Sequence, residues 1–233
     1  MRYKVGKYVS DDSMSDLICD NYATLLVMSR FGIDLGFKDQ SIEEVCAKSS
    51  VHTDTFLAIV NLLISQDKKN VKIDYSKVSL ESLVGYLHTS HGYYLEYRLP
   101  SIRKKLVEAL QSSDNTISMA IVNYFDEYVA EVNNHMMYEE NTLFPYIKTV
   151  ISKGCTKEYS IDTFSEHHDR VEVKLSELKN ILIKYCPAKT TNELNSVLYD
   201  IFTCEKDLAS HNSIEDFLLV PTMREIEANR ERA

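Results

Sequence analysis

The sequence has few of the residues that break helices, with six glycines and four prolines among 233 residues. This scarcity disfavours a turn-rich β fold and favours long helices. No apolar run approaches the ~18 residues that are needed to cross a bilayer, so no membrane partner is expected. The N-terminus contains no hydrophobic signal region, which predicts a cytoplasmic protein.

Basic charge is also scarce, because 26 Lys and Arg stand against 35 Asp and Glu, a formal net charge of -9. Nucleic-acid binders usually show a basic footprint, so nucleic acid is not expected as a partner. Residues 40–64 have the outline of a helix-turn-helix, but the second helix, Thr53 to Ser65, contains no Lys or Arg. Direct contact of this segment with DNA is therefore disfavoured.

The cysteines lack any pairing pattern. There are five, none in a Cys-x-x-Cys motif, and an odd number in a chain without a signal region predicts reduced thiols. They are widely scattered: Cys19, Cys46, Cys155, Cys186 and Cys204. Most are expected to be small buried residues.

A polar, lysine-rich stretch at 68–77 divides the chain into two predicted domains, 1–75 and 79–233. The first is predicted to be small and helical. Its helices are expected from about Asp12 to Arg30 with Gly32 as the stop, from the capping box Ser41-Ile-Glu-Glu44, and from a cap at Thr53 or Asp54.

The second predicted domain has four longer patterns with apolar residues three and four positions apart. These patterns cover residues 80–111, 115–150, 158–186 and 190–228. Long amphipathic helices joined by short loops are typical of an antiparallel bundle. The predicted fold class is therefore all-α, an antiparallel four-helix bundle preceded by a small helical N-terminal domain.

An internal repeat within the bundle is the strongest functional signal. His135-Met-Met-Tyr-Glu139 and His211-Asn-Ser-Ile-Glu215 are 76 residues apart, and each has a leucine eight and a proline ten residues after its histidine. Upstream histidines match as well: His91 precedes the first copy by 44 residues, and His168 precedes the second by 43. Each half of the bundle thus supplies one His from its first helix and a His/Glu pair from its second.

These six residues predict a metal site. Residues four apart lie on one helical face, so each His and Glu of a pair can bind metal together. Four imidazoles and two carboxylates suit iron, manganese or zinc rather than a thiolate-seeking metal. The twofold repeat indicates two metals, with Glu139 and Glu215 bridging both and each metal holding two His. No catalytic residue is predicted outside this site.

Two of the histidines have a neighbour that competes for the same role. His88 lies three residues before His91, and His167 directly precedes His168. The spacing to the next half-site favours His91 and His168. Glu140, next to Glu139, is expected to point away from the metals.

Two acidic residues are candidate partners of the ligand histidines, with ordinary surface acids as the alternative. Glu131 and Asp207 each lie four residues before a ligand His. They could accept the second ring N–H and so orient the imidazole.

At these residues the sequence resembles the hemerythrin-like family, and most closely its group of di-iron proteins that repair iron–sulfur clusters. The segments that resemble the family's four motifs are Leu87-His-Thr-Ser-His-Gly-Tyr-Tyr93, the His135-to-Pro145 segment, Ser165-Glu-His-His-Asp169 and His211-to-Glu215. The resemblance implies two Fe ions in an oxo- or hydroxo-bridged centre with two bridging glutamates. Four His ligands would leave coordination open for small ligands such as NO or O2.

The N-terminal part resembles the small domain that precedes the bundle in the same group. That group has a Cys-Cys-Gly-Gly turn, whereas this chain reads Arg30-Phe-Gly-Ile-Asp34 followed by Leu35-Gly-Phe-Lys-Asp39, without the two cysteines. Cys46 is displaced and single. Chemistry that depends on the cysteine pair is therefore not expected here.

The resemblance implies protection or repair of iron–sulfur proteins under nitrosative or oxidative stress, with an iron–sulfur protein as client. The alternative is an O2 or NO sensor that signals to a partner without catalysis. Whether the protein turns over a substrate as an enzyme stays open from the sequence.

Overall fold

The computed structural model describes residues 7–110, 115–153, 159–167, 172–186 and 191–231. These parts of the chain are helical and contain no β-strand beyond an isolated bridge between Ser13 and Ser41. None of the helices in them is long and apolar enough to cross a membrane. The prediction of an all-α fold is confirmed.

Short helices occupy the N-terminal part of the chain. They are α1 (Met14–Asp20), α2 (Thr24–Arg30), α3 (Ile42–Lys48) and α4 (Thr53–Ile64), followed by 3-10 turns at Lys68–Asn70 and Tyr75–Lys77.

Longer helical segments follow and make up the four-helix bundle. They are α5 (Leu80–Gly92) and α6 (Leu99–Leu110), α7 (Asn115–Tyr138) and α8 (Phe144–Lys153), α9 (Ile161–His167) and α10 (Glu172–Tyr185), and α11 (Asn192–Ile214) and α12 (Val220–Glu231). Single π-helical turns join three of these pairs, at Tyr93–Arg98, Glu139–Leu143 and Glu215–Leu219.

The predicted capping box and glycine stop are both present. The Ser41 hydroxyl accepts from the Glu44 N–H (3.2 Å), and the Glu44 carboxylate accepts from the Ser41 N–H (2.9 Å). Gly32 has a φ of +68°, a left-handed conformation that favours glycine. The N–H of Ile33 reaches back to the Met28 carbonyl (2.9 Å), as in a Schellman motif that closes a helix C-terminus.

Two local predictions for this region are wrong. The single helix expected from Asp12 to Arg30 is broken between Asp20 and Thr24, and the Thr24 hydroxyl donates to the Asn21 carbonyl (2.7 Å) at the break. The cap of α4 is His52 rather than Thr53 or Asp54, because its ring Nδ1 accepts from the Thr55 N–H (3.4 Å).

The chain divides by contacts into two compact units. One comprises Met1–Ser90, Pro145–Glu166 and Ser213–Ala233, and the other comprises His91–Phe144 and His167–Asn212. The boundary predicted between residues 1–75 and 79–233 stays a prediction.

Side chains from all four bundle segments form the apolar core of the second unit. Its largest buried members include Tyr94, Leu99, Ile102, Leu106, Phe125, Tyr128, Val132, Met136, Leu175, Leu178, Val197, Ile201 and Leu208. Burial of this many aliphatic and aromatic side chains is the main force that holds the helices together.

A charge network fixes the first π turn to α11 in the same unit. The Arg98 guanidinium donates to the Asp200 carboxylate (3.0 Å), to the Asp200 carbonyl (3.0 Å) and to the Thr203 hydroxyl (2.6 Å). Lys105 donates to the other oxygen of Asp200 (2.6 Å). The segment that follows His91 is therefore held in place by several directional contacts.

Candidate metal centre

Four side chains meet in a buried cluster that could hold a metal ion. One ligand atom from each of His91, Glu139, His211 and Glu215 lies within 4.8 Å of the others. Their exposed fractions are 3%, 0%, 1% and 0%. Two buried carboxylates this close repel each other unless a positive charge compensates, which is the role a cation would fill.

The carboxylate of Glu139 contacts two imidazoles at once. Its Oε2 lies 2.9 Å from Nε2 of His91, and its Oε1 lies 2.9 Å from Nε2 of His135. Among the described residues neither oxygen accepts a conventional hydrogen bond from any other group. One carboxylate that directs its two oxygens toward different histidines has the donor arrangement that a bridging ligand needs.

The histidine and the glutamate of each repeat lie one helical turn apart. His135 lies in the last turn of α7, four residues before Glu139, and His211 lies in the last turn of α11, four residues before Glu215. In both repeats the histidine and the glutamate therefore lie on the same helix face.

A π-helical turn begins at each of the two glutamates. The Glu139 carbonyl accepts from the Phe144 N–H, and the Glu215 carbonyl accepts from the Val220 N–H. Each closing residue directly precedes a proline, Pro145 or Pro221. Because proline lacks an N–H and its ring clashes with the carbonyl four residues earlier, the regular α-helical bonding cannot continue through it. Single π turns of this kind are frequent at functional sites.

The first bundle helix has the same feature. A π turn follows His91 and closes with the Leu99 N–H on the Tyr94 carbonyl, directly before Pro100. The repeat includes the prolines, but the sequence pattern does not predict the π turns. A proline nine or ten residues after a helical histidine, at Pro100, Pro145 and Pro221, is the sequence signal that accompanies them.

The structure separates the two histidine candidates of the first helix. His88 is exposed, whereas His91 belongs to the buried cluster. The His91 ring stacks on Phe144 with a centroid distance of 5.4 Å and an interplanar angle of 9°. It also lies 5.2 Å from the His211 ring. These contacts place the His91 ring in the buried cluster, and its role as a ligand stays a prediction.

Glu140 does not point away from the site, so that prediction is wrong. Its Oε1 lies 2.7 Å from Nδ1 of His91. Glu131, a candidate partner of His135, accepts from Lys174 and has 48% of its side chain exposed, which agrees with the alternative of a surface acid. The role predicted for Asp207 stays a prediction.

The third-helix ligand cannot be placed in the same way. His168 lies outside the described residues. The backbone of His167 ends α9, and its side chain is outside the described part of the chain. The choice of His168 over His167 therefore stays a prediction from the sequence.

The buried thiol of Cys46 is poorly suited to exchange chemistry. Cys46 is 0% exposed, and burial raises the pKa of its thiol to about 11, although a hydrogen bond with Thr53 acts in the opposite direction. Cys19 by contrast is exposed. A raised pKa reduces the thiolate fraction, and the thiolate is the reactive form.

We therefore expect iodoacetamide near neutral pH to alkylate Cys19 readily in the native protein. The alkylation rate of Cys46 should be at least about 100-fold lower than that of Cys19. Mass spectrometry of proteolytic fragments measures both rates, and alkylation of the denatured chain is the control. Equal native rates would contradict the buried placement of Cys46.

The sequence of the chain was compared with protein families and with known proteins. Residues 83–223 match the family model described as the hemerythrin HHE cation binding domain. The chain is also similar to iron-sulfur cluster repair proteins YtfE of Salmonella paratyphi B, Salmonella newport and Salmonella heidelberg. Each is 21% identical over 183 residues, which are 77% of this chain and 82% of the relative.

Proposed function

The chain belongs to the hemerythrin HHE family, and from that premise we propose that it is a non-haem di-iron protein that protects or repairs iron–sulfur proteins under nitrosative or oxidative stress. The observation that supports this most strongly is the buried cluster of His91, Glu139, His211 and Glu215. Nitrogen and oxygen donors of this kind suit iron.

The proposed ligand set comprises six residues, four histidines and two glutamates. They are His91, His135, Glu139, His168, His211 and Glu215. The contacts of Glu139 with His91 and His135 support a bridge between two metals, because each carboxylate oxygen is directed at a different imidazole. His168 is included because it is the histidine before Asp169 in the segment that resembles the family's third-helix motif, where that histidine is the ligand.

Iron bound there would supply one-electron redox chemistry and open coordination positions for NO or O2. The protein's own residues bind and orient the metals and enclose them, since Glu139 and Glu215 are fully buried and Phe144 covers one face of His91. The client would be an iron–sulfur protein, as the relatives named for cluster repair suggest.

The absence of the N-terminal cysteine pair limits the routes by which repair could occur. With Cys46 buried, iron transfer would proceed from the histidine and carboxylate ligands rather than through a thiol pair. This favours direct scavenging of NO, or release of iron from the centre, over thiol-dependent delivery.

Sensing is the second candidate, and contacts within the first compact unit favour it. The Lys68 ammonium donates to the Ser213 hydroxyl (2.7 Å), and the Tyr75 hydroxyl donates to the Phe217 carbonyl (3.4 Å). Ser213 and Phe217 flank Glu215 in the sequence. A change at Glu215 on ligand binding would thus reach the segment that follows α4.

An assay with a client enzyme separates the two functions. An NO-inactivated [4Fe–4S] dehydratase is incubated with the iron-loaded protein and a reductant, and its activity is followed. Recovery that exceeds the recovery with free iron, and that the Glu139→Ala variant does not give, supports repair. Binding of NO by the loaded protein without any recovery contradicts repair. Protection of the dehydratase when the loaded protein is present during the exposure to NO would then indicate scavenging, and the absence of such protection would favour sensing.

A further inference from the structure

We propose that Glu140 is a positioning residue of the metal centre, whose carboxylate holds the Nδ1–H of His91 so that Nε2 faces the metal. The proposal rests on the metal centre put forward above, but not on repair or sensing as its use. It assigns a role to a residue that the spacing of the motif places outside the ligand set.

The two nitrogens of the His91 ring contact carboxylates of consecutive residues. Nδ1 lies 2.7 Å from Oε1 of Glu140, and Nε2 lies 2.9 Å from Oε2 of Glu139. A neutral imidazole donates from one nitrogen and offers a lone pair at the other. Donation from Nδ1 to Glu140 therefore leaves Nε2 as the ligand atom, on the side of the buried cluster.

Burial distinguishes the two carboxylates. The side chain of Glu139 is 0% exposed, whereas that of Glu140 is 22% exposed. Glu139 lies within the cluster, whereas Glu140 is partly exposed and contacts the opposite nitrogen of the His91 ring, Nδ1. Carboxylates that accept from the second ring nitrogen of a ligand His fix its tautomer and ring orientation.

The π turn explains how neighbouring residues reach the same ring. In an α-helix, consecutive side chains point about 100° apart, which is why Glu140 is expected elsewhere from the sequence. The turn that begins at Glu139 closes on the Phe144 N–H and is wider than an α turn. Phe144, which closes the turn, also stacks on the His91 ring. One turn of backbone thus supplies a ligand, an acceptor and a packing surface for the same imidazole.

The second repeat contains the same pair in its sequence. Asp216 follows Glu215 as Glu140 follows Glu139, and both pairs open a π turn. An acidic residue directly after the proposed bridging glutamate is therefore a shared feature of both halves.

The test compares Glu140→Ala and Glu140→Gln with Glu96→Ala, which removes an exposed carboxylate from the π turn after His91. Each full-length protein is loaded with Co²⁺. Proton NMR then follows the hyperfine-shifted N–H of His91, identified by its loss in His91→Ala. Competition with a chromophoric chelator gives the Co²⁺ affinity, and circular dichroism checks that each variant is folded.

We expect Glu140→Ala to lose the exchange-protected N–H signal and to bind Co²⁺ about 10- to 100-fold more weakly, the range seen when such partners are removed. Glu140→Gln keeps an acceptor oxygen, so it should retain the signal and most of the affinity. Glu96→Ala should match the wild type in both.

A wild-type signal and affinity in Glu140→Ala would overturn the positioning role and leave the metal centre intact. Equal losses in the Ala and Gln variants would also overturn it, because charge rather than orientation would then be responsible. Failure of the wild-type protein to bind Co²⁺ would overturn the metal centre and, with it, this inference. Absence of repair activity in a protein that passes the Co²⁺ test would count against the function alone.

Discussion

Glu139→Ala is expected to remove most of the bound iron, from two ions to fewer than one per chain. The reason is that Glu139 contacts both His91 and His135 and is the carboxylate proposed to bridge the metals. Elemental analysis of protein expressed in iron-supplemented medium measures the loss. Glu215→Ala, the equivalent change in the second repeat, should behave in the same way.

Thermal stability provides a second readout of the same change. A ligand present at about 1,000 times its dissociation constant stabilises the native state by about 4 kcal/mol. For a chain of this size that corresponds to an increase in Tm of about 8–16 °C. The wild-type protein should show an increase of this order on addition of Fe²⁺ under anaerobic conditions, and Glu139→Ala should not.

Glu96→Ala is the matched control, because Glu96 is exposed and lies close in sequence to His91 without belonging to the cluster. It should retain wild-type iron and the wild-type change in Tm. Full iron content in both Glu139→Ala and Glu215→Ala would contradict the proposed ligand set.

His91→Ala is expected to weaken metal affinity by more than about 100-fold, whereas His88→Ala should leave it unchanged. Loss of a mere hydrogen-bond partner of a ligand already costs about 10- to 100-fold, so loss of the ligand itself should cost more. The two histidines lie three residues apart on α5, but only His91 is buried in the cluster. Chelator competition with Zn²⁺ or Fe²⁺ measures both affinities.

This pair of variants controls for the general effect of removing a histidine from α5. A larger loss of affinity in His88→Ala than in His91→Ala would contradict the structural placement of the two rings. Similar small effects in both would exclude a ligand from this helix.

The sequence predicts the helical bundle well because its signals are local and periodic. Apolar spacing sets the long helices, and the Ser41–Glu44 box and Gly32 set two of the helix ends. The repeat also favours His91 over His88 without any three-dimensional information, since the 44 residues from His91 to His135 are within one residue of the spacing in the second half, whereas His88 lies 47 residues before His135. The structure places His91 in the buried cluster, and its role as a ligand stays a prediction.

Features that depart from regular helical geometry could not be predicted in the same way. The expectation for Glu140 assumed about 100° between neighbours, which the π turn at Glu139–Leu143 does not obey. The break between α1 and α2 contains neither glycine nor proline, so the residues that usually interrupt helices do not predict it. The cap at His52 uses a ring nitrogen in place of the usual Ser, Thr, Asp or Asn oxygen.

The most direct test of the central claim is elemental analysis of the full-length protein purified without added metal, with an optical spectrum of the same sample. We expect two irons per chain and a charge-transfer band of an oxo-bridged ferric pair, which reduction should remove, and addition of NO should then change the spectrum of the reduced protein. Absence of iron, or stoichiometric zinc without such a band, would contradict a di-iron centre.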